Sequence, residues 1–142
     1  RFETEFSIYR ELNGVFFDLV YAINQIIPAG VEWKLPDQQK QNELEKERFS
    51  DAIAIYANAR KSLAYNSAFI PEQFYDNYQQ ILRLCGKQIS AVSQKYNVLN
   101  FSSDKGKPKL EDYFRTDKIN ELIENNSREI RNYLESLEAY DI

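Results

Sequence analysis

Apolar residues recur every three or four positions along most of this chain, the period of helices that each turn one face to a core. Phe2, Phe6, Tyr9, Leu12, Phe16, Leu19, Ile23 and Ile26 form the first stripe. It predicts a helix from about residue 3 to residue 27, stopped by Pro28-Ala29-Gly30. Gly14 lies inside it, where glycine costs about 1 kcal/mol against alanine. Close approach of a neighbouring helix, or a slight kink, is the expected reason for it.

The second stripe is Phe49, Ala52, Ile53, Tyr56, Ala59 and Leu63. From Asp37 to Arg48 only Leu44 is apolar, so a helix over about 37–64 is expected to begin with a solvated section. A third helix is predicted over 71–96, on Phe74, Tyr78, Ile81, Leu82, Cys85, Ile89, Val92 and Tyr96. Pro71 suits its first position, where the missing N–H costs nothing. Phe69 and Phe74 occupy the places of a hydrophobic staple.

Asn97 to Lys109 reads as the longest loop, and Leu110 to Phe114 as a separate short turn. Thr116 is then the expected N-cap of a last helix over about 116–139, carrying Ile119, Leu122, Ile123, Ile130, Tyr133, Leu134 and Leu137. Four helices of similar length with mostly short connections favour antiparallel neighbours. The expected fold is therefore all-α, an antiparallel up-down bundle of four long helices in one domain over residues 1–142. No segment alternates apolar and polar residues well enough for a strand.

Composition agrees with a folded helical chain: 43% apolar and 28% charged, with only four glycines and four prolines. A net charge of −4 argues against a nucleic-acid partner, which must have its phosphates neutralised. No apolar run reaches the roughly 18–20 residues that span a bilayer. The lone Cys85 permits no intrachain disulfide and suits a reducing, cytoplasmic compartment. The sequence contains no methionine and opens within a helical stripe, which leads to the expectation of a native segment upstream.

The chain also has no histidine, and that removes several chemistries. A di-iron bundle draws on Glu-x-x-His pairs, and zinc needs histidine or cysteine ligands. Arg128 and Arg131 lack the histidine that follows arginine in helical ribonucleases. A carboxylate magnesium site would need acidic residues on facing helices. Glu121-x-x-Glu124 and Glu135-x-x-Glu138 share one helix, and Glu47-x-x-x-Asp51 has the wrong spacing. Cys85 sits on an apolar stripe and reads as a buried small hydrophobe. Lys105-Gly106-Lys107-Pro108-Lys109 has charge without the glycines of a phosphate loop and reads as a solvated loop tip. No catalytic, cofactor-binding or metal residue is assigned.

Aromatic residues make up 14% of the chain, and most lie on the stripes. Trp33, Phe69 and Phe101 fall in connectors instead. Trp33 and Phe101 are the candidate partner-contact residues, because aromatic anchors dominate interfaces. Plugging the ends of the bundle is the competing role.

Two segments carry a resemblance. Phe6-Ser7-Ile8-Tyr9-Arg10-Glu11-Leu12 leads a helix ending in Ile26-Ile27-Pro28, and Ala68-Phe69-Ile70-Pro71-Glu72-Gln73-Phe74-Tyr75 opens another. Over about residues 2–90 the chain resembles small bacterial helical proteins of unknown function, often preceded by an N-terminal transmembrane helix. The resemblance implies a tether to the inner membrane through an upstream segment, and it implies no catalytic residue. The expected function is a non-enzymatic interaction or scaffold domain, binding a protein partner or a second copy of itself. The alternative is a carboxylate-magnesium hydrolase of a phosphorylated small molecule.

Overall fold

The computed structural model describes residues 2–30, 33–96 and 107–140. Four helices carry the chain: α1 (Phe2–Ile26), α2 (Gln38–Asn66), α3 (Glu72–Ser93) and α4 (Leu110–Tyr140). Short 3-10 turns, Ser67–Phe69 and Gln94–Tyr96, follow α2 and α3. No strand occurs among the described residues.

Side-chain pairs fix the topology. Ser62 late in α2 donates to Glu11 early in α1, at 3.2 Å. Tyr133 late in α4 donates to Glu5 early in α1 at 2.8 Å, while Asn24 and Asn120 exchange hydrogen bonds at the opposite end. Phe49 early in α2 stacks on Tyr96 just after α3, with ring centroids 4.8 Å apart. Sequential helices therefore run antiparallel, and α1 and α3 face each other across the core, Tyr9 against Phe74 and Phe16 against Tyr78. This is an up-down-up-down bundle.

The core follows the stripes: Leu12, Phe16, Leu19, Ile23, Phe74, Tyr78, Ile81, Cys85, Ile119, Ile123 and Ile130 are all buried in one cluster. Each large apolar side chain so buried is worth about 1.5–3 kcal/mol over leaving it in water. On α2 the buried face is small, with Ala52 and Ala59 fully enclosed. Two stripe positions fall outside. Phe6 is 46% exposed and Ile53 is 45% exposed. Glu5 takes the interior place next to Tyr9, its carboxylate satisfied by Tyr133.

Helix ends differ from the sequence expectations in three places. Asp37 caps α2 by accepting from the backbone N–H groups of Gln39 and Lys40, at 2.9 and 3.3 Å. Pro71 is the cap of α3 rather than its first helical residue, and its carbonyl receives the N–H groups of Phe74 and Tyr75 at 3.1 and 3.2 Å. Beside it Ile70 is buried, whereas Phe69 is 63% exposed, so Phe69 closes no staple onto Phe74.

The largest correction concerns α4. Leu110–Phe114 is not a separate turn but the first part of one continuous helix. Its start is a capping arrangement in which the Lys109 N–H donates to Asp112 Oδ2 at 2.9 Å. Thr116 is therefore not a cap but a fully buried interior residue. Its hydroxyl donates to the Ile27 carbonyl at 2.8 Å and accepts from Gln88 Nε2 at 2.8 Å. Gln88, itself fully buried, also donates to the Asp112 carbonyl at 2.7 Å. One polar layer thus ties the end of α1, the late part of α3 and the start of α4.

Gly14 meets no neighbouring helix. It is exposed, and a Cβ built there would find nothing within 4 Å. Gly86 is the glycine at a close approach, since its Cβ would stand 3.1 Å from the Tyr56 hydroxyl. Among the described residues no helix is long and apolar enough to cross a membrane.

Candidate functional site: a cationic trough over α3

α3 commits Ile81, Leu82, Leu84, Cys85, Gln88 and Val92 to the interior, which leaves Arg83, Lys87 and Ser90 exposed between them. Arg83 and Lys87 fall one turn apart on that outward face. α2 runs alongside and supplies Tyr56 and Ile53, while the start of α4 supplies Arg115. Between them lies a shallow trough of about 780 Å³, floored by Gly86, Ser90 and Ala91. Gly86 matters to its shape, because any side chain there would press on Tyr56. Toward the start of α3 the trough continues into a second depression of about 720 Å³, which shares Tyr56 and Arg83 and adds Arg60.

Cations dominate this surface. Arg115 is held in place, its guanidinium donating to Gln88 Oε1 and Asp112 Oδ1, each at 2.8 Å. That ties the rim of the trough to the buried polar layer. Arg60, Arg83 and Lys87 make no ion pair among the described residues. Asp112 is the one acidic residue of the lining, and it is already engaged by Arg115. A chain with net charge −4 therefore gathers cations, a phenol and an exposed isoleucine from α2, α3 and α4 on one surface.

Comparison with family models, curated proteins and solved structures returns no match.

Of the two candidate partner-contact residues, Trp33 lies elsewhere. Trp33 stands in the connector between α1 and α2 and is 88% exposed, so it plugs no end of the bundle. Phe101 lies outside the described residues. Near the Trp33 connector a smaller cleft of about 270 Å³ is lined by Lys34, Glu45, Arg48, Lys95 and Tyr96. Burial opposes ionisation of Glu45, but hydrogen bonds from Lys95 and Gln41 and the charges of Lys95 and Lys34 outweigh it, holding the carboxyl below its ordinary value.

Among the described residues no three of the cysteine, aspartate and glutamate side chains gather where they could hold a cation. A carboxylate-magnesium site therefore has no ligand set there. Burial pushes the Cys85 thiol up to about 12, and it is fully enclosed in the core. Such a thiol is neither ionised nor reachable at neutral pH.

Sequence reasoning missed the trough because its cations come from three helices and form no run along the chain. The one local signal was Arg83 and Lys87, spaced i and i+4 on the polar side of the best-patterned stripe. Like charges at that spacing weaken a helix by about 0.2–0.5 kcal/mol, so such a pair invites a reason.

Proposed function

We propose that this domain is a non-enzymatic protein-interaction module that receives an acidic, amphipathic partner segment in the trough over α3. The observation that carries the reading is the set of Arg60, Arg83 and Lys87, without an ion pair among the described residues, around Tyr56 and Ile53 on a chain of opposite net charge. Cations around an apolar strip suit a partner with carboxylates flanking an apolar face, because complementary potentials steer the encounter and fix the register. Arg115, anchored by the polar layer, gives one end of the trough a fixed donor. Trp33 offers an additional anchor at the bundle end through its exposed indole.

A bait of the wild-type chain and a bait carrying Lys87→Glu, applied to the same native lysate at several salt concentrations, test the reading. Partners held through the trough are retained by the first, lost from the second, and released as salt rises. Equal retention by both baits, or turnover of a metabolite by the purified chain with no partner retained, would sink it. The bacterial resemblance adds a tether at the inner membrane to this proposal. An upstream apolar run of about 20 residues in the full-length coding sequence is the check on that part.

A further inference from the structure

We infer that a second copy of this chain docks antiparallel along the outer face of α1, with Gly14 against Gly14 on a two-fold axis. At 100° per residue, Gly14 lies at the middle of a surface stripe that also holds Ser7, Arg10, Phe17, Asp18 and Tyr21. All six are exposed. Phe17 is 46% and Tyr21 69% exposed, a contiguous aromatic pair one turn apart on a helix of an otherwise well-packed bundle.

Three features of this stripe fit a copy of itself. Arg10 and Asp18 stand four residues to either side of Gly14, carry opposite charges, and make no ion pair among the described residues. An antiparallel copy centred on Gly14 brings each Arg10 beside the partner copy's Phe17 and Asp18. That arrangement makes the interface complementary in charge twice over and sets a guanidinium near an aromatic face. The same register sets Ser7 opposite Tyr21, so its ends are complementary as well. Gly14 itself has open space where a Cβ would stand, which no packing among the described residues explains. At a helix crossing, that space is what lets two backbones approach.

The face is modest in size. From Glu3 to Gln25 it runs about 33 Å, and a helix is about 10–12 Å across, so each copy covers roughly 350 Å². Specific stable interfaces cover about 800 Å² per partner. The contact is therefore a reversible, concentration-dependent dimer rather than a permanent one.

Sedimentation equilibrium of the whole chain over a wide concentration range tests this. The wild type shows monomer and dimer in exchange. Arg10→Asp alone or Asp18→Arg alone places like charges together at both ends of the axis and weakens the dimer about tenfold or more. The double variant, Arg10→Asp with Asp18→Arg, restores it. Gly14→Leu abolishes the dimer while circular dichroism keeps its helical signal, and Lys87→Glu leaves the dimer unchanged. A monomer at every concentration overturns the inference. So do single swaps without effect, a double variant that fails to recover, or loss of the dimer in Lys87→Glu, which would place the contact in the trough.

Discussion

Thr116 on α4 hands its hydroxyl proton to the carbonyl of Ile27 at 2.8 Å, joining two residues that lie 89 positions apart. The bond gives the Ile27 carbonyl, which has no intrahelical donor where α1 ends, a partner in the interior, and it places the start of α4 relative to α1. Gln88 completes the layer from α3.

Removing the hydroxyl while keeping the shape isolates that contribution. Thr116→Val leaves the Ile27 carbonyl without its donor and takes one acceptor from Gln88, and a buried group left unmatched costs about 1–3 kcal/mol. Urea denaturation reads the loss as a lower midpoint with unchanged slope. Thr116→Asp separates the two roles considered for this residue. A cap position would welcome aspartate, whereas the buried layer must take in a charge, so a severe loss of stability is expected.

The two glycines within helices respond in opposite ways. Gly14→Ala adds a methyl into open space, so the monomer gains up to about 1 kcal/mol from the restored helix propensity. Gly86→Ala gains the same propensity but must push the Tyr56 hydroxyl, 3.1 Å away, and the gain is cancelled. Tyr56→Phe in the same chain removes that hydroxyl and returns the alanine its benefit. Thermal melts of the three variants and the wild type, at a concentration where the chain is monomeric, give the comparison.

Alkaline pH is expected to destabilise this protein. Burial raises the Cys85 thiol from 9.0 to about 12. Burial also raises the Tyr78 phenol above its ordinary 10.0. For Tyr9, burial and then the neighbouring Glu5 charge do the same. The folded chain thus keeps protons that the unfolded chain releases. Stability from these groups is fully present below about pH 9 and falls as pH rises from there toward 12. Each such proton steepens the decline by about 1.4 kcal/mol per pH unit. Denaturation midpoints measured from neutral pH upward test the slope, and Cys85→Ala flattens its earliest part. At neutral pH a thiol reagent modifies Cys85 only as fast as the core opens.

Lys87→Glu should uncouple stability from binding. It replaces a repulsive i,i+4 pair with an attractive one across from Arg83, so the melting temperature holds or rises slightly. Capture of a partner through the trough is lost in the same variant. A fall in both would mean that Lys87 supports the fold, against its exposed position.

How much of this was legible follows the range of the interactions. The stripes of α1 and α3 read correctly because Leu12, Phe16, Ile81 and Cys85 repeat at the helical period and need no knowledge of their partners. The beginning of α4 did not, because threonine is locally as good a cap as an interior residue. What decides for Thr116 is a carbonyl on α1 and an amide on α3. Phe6 joins the sequence stripe on hydrophobicity alone, yet Tyr133 from the far end of the chain makes the Glu5 carboxylate the better interior neighbour. The trough likewise depends on Arg60, Arg83 and Arg115 meeting from separate helices, a juxtaposition that only the tertiary fold creates.

The exposed indole of Trp33 has a practical corollary. This is the only tryptophan of the chain, and it sits in water both when the helices are assembled and when they are not. Its fluorescence is accordingly almost blind to folding. Any blue shift or shielding from a soluble quencher reports instead that another molecule has come to rest on the connector between α1 and α2, which gives the native chain a built-in optical sensor of contact.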